Sequence, residues 1–383
     1  MTTDPKAPLR VLHATEVVKG GTATYVSTLI RRQLADPGVA SVRVLATDAH
    51  REHLDVPDEN VSVYEAGGRS AKAVRSLRAA LKAELAGRPA DVVHVHGSVT
   101  GGAVRLPPWP AKGRRPAVVY CAHGWSFLRD SAAWKRAACR AAERLLAGRC
   151  ERIVCISGDE RRAALDAGLP ASKLRTVHNG LPPEPPAAEP VDLPPEAAAA
   201  VEAARGRGEP VYLFVGRYDD QKGLDRLLPL FAGGGVPGVA LCVGEAIVGG
   251  RAVTFGPRAF DLGWATGGQV QWLLSRCDAL LVPSRWEGFG LVAAEAMRAG
   301  RAVIAEDVGG LPEVVADGET GRIVNGREDW AAAWTAALRE AGPDELRRWG
   351  DSGQRRFRER FTDSRMASGI LGVYRQAADR RPA

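Results

Sequence analysis

Short runs of apolar residues alternate with segments of helical period along the whole chain. In the first half the runs Leu9–Ala14, Val42–Ala46, Val61–Tyr64, Val92–Val95, Ala117–Cys121, Ile153–Ile156 and Arg175–Val177 read as strands. Between them Ala23–Leu34, Ala71–Leu85, Ala132–Leu146 and Glu160–Ala167 carry the spacing of amphipathic helices. Strands that are apolar at nearly every position are buried on both faces, which points to parallel sheets covered by helices.

After Asn179-Gly180, a turn pair, prolines crowd the stretch LPPEPPAAEPVDLPPE from Leu181 to Glu196. Proline at that density excludes a helix or a central strand and predicts a semi-rigid extended connector. The alternation then resumes with Val211–Val215, Val239–Val243, Ala279–Val282 and Val303–Ala305. At 383 residues the chain is also longer than one core usually supports. The reading is therefore α/β, with a Rossmann-like domain over 1–180, a linker over 181–195 and a second such domain over 196–360. A helix over 361–383 is expected to pack back on the first domain. In sheets of this kind ligands sit at the strands' C-terminal ends.

Charge and cysteine usage narrow the chemistry only a little. Lys and Arg number 52 against 45 acids, a net +7 that suits an anionic small ligand or an anionic membrane surface and makes no case for nucleic acid. The six cysteines form no CxxC pair and no Cys/His zinc spacing, so buried reduced thiols are expected. The N-terminus has no basic and apolar leader pattern, and no run approaches bilayer length. A cytoplasmic enzyme is the expectation, with possible peripheral contact at the inner membrane face. Basic positions Lys72, Arg75, Arg78 and Lys82, with Lys135, Arg136 and Arg140, form either a membrane-facing patch or ordinary solvated helix faces.

Four segments carry candidate chemistry. Glu16 closes the first strand and Lys19-Gly20-Gly21-Thr22 precedes a helix, where backbone N–H groups can approach an anion or simply make a turn. This is neither GxGxxG nor a P-loop. In FVGRYDDQKGLDRLL, a strand ends at Gly216 and the loop into the next helix carries Arg217 and Lys222. Two cations there suit a diphosphate that gains charge as it leaves. In PSRWEGFGLVAAEAMRAG, Glu287 stands on a glycine-containing loop and Glu295 in the helix that follows. So placed, they cannot share one helical face as an acid/base pair. They either bind hydroxyls at two ends of one ligand or serve as a surface acid and a helix ion-pair partner. His123, in YCAHGWSF, stands at a strand end. Ser157-Gly-Asp-Glu160 reads as a capping box.

Arg217 with Lys222, then Glu287-Gly-Phe-Gly-Leu with Glu295, then Gly309-Gly310-Leu-Pro-Glu313 together resemble the donor-site signature of retaining family-4 glycosyltransferases of GT-B fold. The likeness runs from Gly20-Gly21 to Gly318–Gly321. It implies two Rossmann-like domains with parallel sheets facing a central cleft that holds a nucleotide diphosphate sugar. It implies that Arg217 and Lys222 hold the diphosphate, that Glu287 and the Phe289, Gly290 and Leu291 backbone meet the sugar, and that Glu295 binds the ribose. Gly20 and Gly21 would close over the phosphates, and His123 would lie beside the sugar as a catalytic group with Arg217, Lys222 and Glu287. The segment Gly244–Gly268 departs from the family pattern; within it Leu262-Gly263-Trp264 is the expected base-binding loop, and uridine the expected base because the family uses it most. There is no D-x-D motif, Asp219-Asp220 being adjacent. No metal and no cofactor are therefore expected. The partners are the nucleotide sugar and an acceptor, either a soluble small molecule or a lipid-linked glycan. A nucleotide-sugar epimerase of the same architecture and a non-catalytic nucleotide-sugar-binding protein are the competing readings.

Overall fold

A computed structural model describes residues 7–16, 20–65, 70–109, 115–128, 131–246 and 253–379. Lys19 of the first glycine motif, and residues 247–252 of the divergent segment, lie outside the described residues. The chain divides into two compact units, Met1–Leu181 with Asp363–Ala383, and Pro182–Thr362.

In the first unit the order is β1 (Leu9–Thr15), α1 (Gly21–Leu34), β2 (Val39–Thr47), β3 (Val61–Tyr64), α2 (Ala71–Gly87), β4 (Val92–His96), α3 (Ser98–Arg105), β5 (Ala117–Cys121), α4 (Ala133–Ala147), β6 (Arg152–Cys155), α5 (Gly158–Asp166) and β7 (Leu174–Thr176). The strands form one parallel sheet in the order β3-β2-β1-β4-β5-β6-β7. Every residue of β4 and of β5 is buried, as near-continuous apolar runs require in a sheet covered on both faces. The chain order reverses across β1 and β4, so a crevice opens at their C-terminal ends.

The second unit repeats the plan with α6 (Pro195–Gly206), β8 (Val211–Val215), α7 (Leu224–Ala232), β9 (Val239–Val243), β10 (Ala259–Asp261), α8 (Gly267–Leu274), β11 (Ala279–Val282), α9 (Leu291–Arg298), β12 (Ala302–Glu306), α10 (Leu311–Val314), β13 (Gly321–Val324), α11 (Trp330–Glu340) and α12 (Pro343–Arg360). Its parallel sheet runs β10-β9-β8-β11-β12-β13, with the reversal between β8 and β11. The proline-rich connector is extended but fastened to this unit. Glu189 N–H donates to the Gly268 carbonyl at 3.0 Å, the Thr266 hydroxyl to the Glu189 carboxylate at 2.5 Å, and Arg298 to the Pro182 carbonyl at 3.1 Å. The final helix, α13 (Asp363–Ala378), belongs to the first unit and packs on α1, β4 and β5. Arg32 of α1 grips Asp363 with two hydrogen bonds of 2.7 Å.

Several details differ from the sequence reading. The strands β10 and β13 are three and four residues long and mix polar with apolar positions, so no apolar run announces them. Ser157 does accept from the Glu160 N–H at 3.1 Å, but the Glu160 carboxylate turns to Ile156 N–H at 2.9 Å and Gly124 N–H at 2.5 Å rather than back to Ser157. Arg78 is half-buried, and its guanidinium is spoken for by backbone carbonyls. It donates to the carbonyls of Ala103 and Leu106 at 2.7 and 2.8 Å and to that of Pro108, closing the end of α3. Among the described residues no helix is long and apolar enough to cross a membrane.

One buried ion pair ties the layers of the first unit together. Arg105, wholly buried, donates to Glu143 of α4 at 2.9 Å and lies 3.7 Å over the Tyr120 ring, while the Tyr120 hydroxyl donates to the same carboxylate at 3.0 Å. Removing one member strands a charge in an apolar core. Glu143→Ala is expected to destabilise the unit by about 3–5 kcal/mol, and Arg105→Met with Glu143→Leu to recover most of that loss. Urea unfolding followed by circular dichroism measures both; a Glu143→Ala curve superimposable on wild type would refute the assignment.

Candidate active site

The sequence-flagged residues of the second unit converge at one edge of its sheet, beside the switch between β8 and β11. Arg217 and Lys222 stand on the loop from β8 to α7, and Glu287 on the loop from β11 to α9. The Lys222 ammonium and the Glu287 carboxylate meet at 2.7 Å, with side chains only 21% and 13% exposed. The Ser284 hydroxyl approaches the same carboxylate at 3.5 Å. Asp219 organises the cationic loop: one oxygen accepts the Lys222 backbone N–H at 3.0 Å and the other pairs with Arg217 at 2.9 Å. Arg217 also donates to Gln221 at 3.0 Å, and both contacts fall on its Nη2.

The two loops are also joined through backbone. Arg285 N–H donates to the Gln221 carbonyl at 2.8 Å, and the Gln221 amide to the Trp286 carbonyl at 3.2 Å. Arg285 itself pairs with Asp225 through two hydrogen bonds of 2.8 Å. Gly223, at φ 71°, passes so close to Pro283 that a Cβ would stand 2.1 Å from its carbonyl oxygen. Gly309, at φ 56°, likewise lies against the carbonyl of Glu287, where a Cβ would stand 1.7 Å away. Positive φ and bare backbone are both required at these two positions, and no side chain satisfies either.

Glu295 lies on the second turn of α9 and is half-buried. Burial raises its carboxyl, and Arg298 and Lys222 pull in the opposite direction. Lys222 therefore acts on both glutamates. The Phe289 ring is core, packed edge-on against Phe361 at 5.6 Å, so only its backbone stands at the loop. Gly290 caps α9 in the left-handed conformation and Leu291 opens the helix. Leu262 follows β10; its N–H donates to Cys242 at 2.8 Å, and the Gly263 carbonyl accepts from Gly244 at 2.8 Å. These bonds fasten 262–264 to the end of β9, and leave the Trp264 side chain 58% exposed. Tyr218, beside Arg217, braces the same corner by donating to Asp261 at 2.7 Å.

Gly20, Gly21 and His123 belong to the first unit. Gly20 precedes α1 at φ 66°, and Gly21 begins it. His123 follows β5 and carries φ 53°, making it the non-glycine residue of the described chain with positive φ. Strain of that kind persists only where the surroundings impose it, and it concentrates at functional sites. Glu160 supplies part of the constraint through Gly124 N–H.

His123 is also the outer end of a buried cluster absent from the sequence reading. His96 Nδ1 lies 2.9 Å from His123 Nε2, His13 Nδ1 2.9 Å from His96 Nε2, and Gln33 Oε1 2.7 Å from His13 Nε2. Tyr374 of α13 joins Gln33 at 3.1 Å and His94 Nδ1 at 2.8 Å. Burial lowers His13 and His123 to about 4 and His94 and His96 well below the usual imidazole value, so all four rings are neutral near pH 7. Nitrogens of His13, His94 and His96 lie within 4.8 Å of one another. Metal ligation there would have to displace the hydrogen bonds that occupy both nitrogens of His13 and His96, and no carboxylate belongs to the group. A sequence signal did exist: three histidines inside otherwise apolar strands, two at spacing two on β4, where i and i+2 share a face.

Comparison with known proteins identifies the family and the fold. The model of glycosyltransferase family 4 matches residues 19–185, and that of glycosyl transferases group 1 matches 259–356. An uncharacterised 41.2 kDa protein in the cps region of Klebsiella pneumoniae is 30% identical over 320 residues, covering 83% of this chain and 86% of its own. Alpha-maltose-1-phosphate synthase of Mycolicibacterium smegmatis is 28% identical over 94% of this chain and 96% of its own. The fold matches the crystal structure of Anabaena Alr3699/HepE in complex with UDP and glucose with TM-score 0.71, at 17% identity over 95% of this chain and 98% of that one. The chain belongs to the family-4 glycosyltransferases, built as two Rossmann-like domains of GT-B type.

Proposed function

We propose that this glycosyltransferase moves a hexosyl group from a nucleotide diphosphate sugar, a UDP-sugar by preference, to an acceptor hydroxyl with retention at the anomeric carbon. The observation that carries the reading is the 2.7 Å pair of Lys222 and Glu287 across the β8/β11 switch. It puts a cation suited to a leaving diphosphate against a carboxylate suited to sugar hydroxyls, at the place where such sheets bind ligands. Arg217, whose two acceptors both meet Nη2, keeps the rest of its fork for phosphate oxygens. Glu295 is assigned to the ribose. The backbone at Phe289, Gly290 and Leu291 is assigned to sugar or phosphate, and Gly20, Gly21 and His123 to the donor, on the family pattern. Uridine, with Leu262 in the base loop, follows the family's commoner usage and the UDP named in the HepE structure.

The chemistry is front-face: the acceptor oxygen bonds to the anomeric carbon as the carbon–oxygen bond to the diphosphate breaks. The leaving phosphate takes the acceptor's proton. Two fixed cations stabilise the charge that develops on the diphosphate, the work a divalent ion does elsewhere. The acceptor is a soluble natural-product intermediate or a lipid-linked glycan of the cell envelope, with the enzyme in the cytoplasm or at the inner membrane face. Incubation with UDP-sugars with and without an acceptor panel, read by mass spectrometry, should give transfer product. Isomerised sugar nucleotide, or binding with no turnover, would displace this reading.

Arg217→Ala or Lys222→Ala removes an interaction that strengthens as the leaving group gains charge, and should lower kcat by about 10²–10³. Near wild-type turnover in either variant would exclude its role. Transfer should persist in EDTA and be indifferent to Mg²⁺ or Mn²⁺; activity lost to the chelator and restored by Mn²⁺ would overturn the two-cation account. The glutamates should separate. Glu295→Ala should weaken free UDP and intact donor by similar factors, about 1.5–3 kcal/mol for a charge-assisted hydrogen bond. Glu287→Ala should leave UDP affinity nearly unchanged while lowering transfer and altering discrimination between two donor sugars. Calorimetry with UDP set beside transfer kinetics reads both, and equal weakening of UDP by the two variants would remove the distinction.

A further inference from the structure

Counting protons in the histidine cluster leads to a definite arrangement. A neutral imidazole carries one N–H and one lone pair. In a file of neutral rings the sense of one hydrogen bond therefore fixes the next. If His13 gives its Nε2–H to Gln33 Oε1, its Nδ1 must accept from His96 Nε2–H, and His96 Nδ1 must accept from His123 Nε2–H. His123 Nδ1 is then left as the lone pair, facing the Cys121 thiol at 3.7 Å. Reversing the first bond reverses all of them. A file with a mixed sense would set two N–H groups or two lone pairs face to face at 2.9 Å in a site without water-like dielectric, which is costly.

Gln33 is the group that can choose the sense. It is buried, and its amide nitrogen donates to the Tyr374 hydroxyl at 3.1 Å, which turns its carbonyl oxygen toward His13 at 2.7 Å. The Tyr374 hydroxyl, accepting from Gln33, donates in turn to His94 Nδ1 at 2.8 Å. The geometry points to Gln33 as a positioning residue: through His13 and His96 it holds His123 as the Nε2–H tautomer, so that Nδ1 is kept as an acceptor. The same file braces a residue whose backbone sits at φ 53°. Its consequence for catalysis rests on the reading of His123 as a donor-side residue: the ring would accept a hydrogen bond from a sugar hydroxyl and never give one.

The test uses full-length protein labelled with ¹⁵N-histidine near pH 7.5, with ring nitrogens read by long-range ¹H–¹⁵N correlation. Wild type should show His13, His94, His96 and His123 neutral and protonated at Nε2. Gln33→Glu places an acceptor-only carboxylate in the same position. It should preserve the file while the Tyr374 hydroxyl turns to the carboxylate, so that His94 alone switches to Nδ1–H. Gln33→Leu removes the chooser and should give exchange-averaged His123 nitrogens. Transfer kcat should fall about tenfold in Gln33→Leu, the scale of one lost oriented hydrogen bond, with donor KM little changed, and Gln33→Glu should restore it. A His123 protonated at Nδ1 in wild type, a chelator-sensitive metal-bound pattern, or His123 signals unmoved in Gln33→Leu would each overturn the proposal. The wild-type spectrum decides even if a variant folds poorly. If the tautomers behave as described but Gln33→Leu turns over normally, the positioning stands and the part assigned to His123 in transfer falls.

Discussion

A lysine on the loop after β8 and a glutamate on the loop after β11 meet at 2.7 Å, and the surrounding architecture serves to bring them there. The sheet order makes these two strands neighbours although four elements of chain separate them. Their loops could not close on one another with side chains at Gly223 or Gly309, because backbone carbonyls occupy the space a Cβ would fill. Asp219 and Gln221 then spend their polar atoms on loop geometry, so Lys222 and Arg217 enter the site already oriented. On the function proposed above, charge preorganised in this way would stabilise the departing diphosphate without reorganisation at the moment of reaction.

Much of this was legible in the sequence, for reasons that differ by element. Long apolar strands such as Val92–His96 declare themselves because burial on both faces leaves no room for polar positions. The strands Ala259–Asp261 and Gly321–Val324 do not, since a short strand at a sheet's flank needs neither length nor continuous apolarity. Arg217, Lys222, Glu287 and Glu295 could be singled out by their spacing, but the direct pairing of Lys222 with Glu287 is a property of strand order, which spacing does not encode. Arg78 shows the opposite limit. A cation on a polar helix face reads as solvated, whereas here tertiary carbonyls claim it.

His13, His94 and His96 escaped because strand prediction sorts residues by apolarity and treats a histidine as an interruption. In the parallel register His13 lies opposite His94, and the two-residue period of β4 puts His94 and His96 on one face. Three strand positions chosen separately thus become one cluster only when the sheet forms. Gln33 and Tyr374 reach it from helices at opposite ends of the chain.

The two units solve the cost of polar groups in different ways, and the difference follows from burial. Beside the β8/β11 switch the side chains are partly exposed, so ions persist there and are held in opposite-sign pairs. Beneath the β1/β4 switch the histidines are sealed, and desolvation removes their charge instead. A neutral ring retains a choice that an ion lacks, namely which nitrogen holds the proton. That choice is made by a carboxamide whose nitrogen donates to a tyrosine hydroxyl on one side and which therefore presents its carbonyl oxygen on the other. Along the file from Gln33 to His123 each hydrogen bond must agree in sense with the next, while His94 Nε2 to one side is a buried atom with no partner. The helix α13, returning from the far end of the chain to deliver Tyr374, is thus joined through Gln33 to the hydrogen bonds of His123, and the packing of the C-terminal helix and the hydrogen-bond sense at the strand end are one constraint.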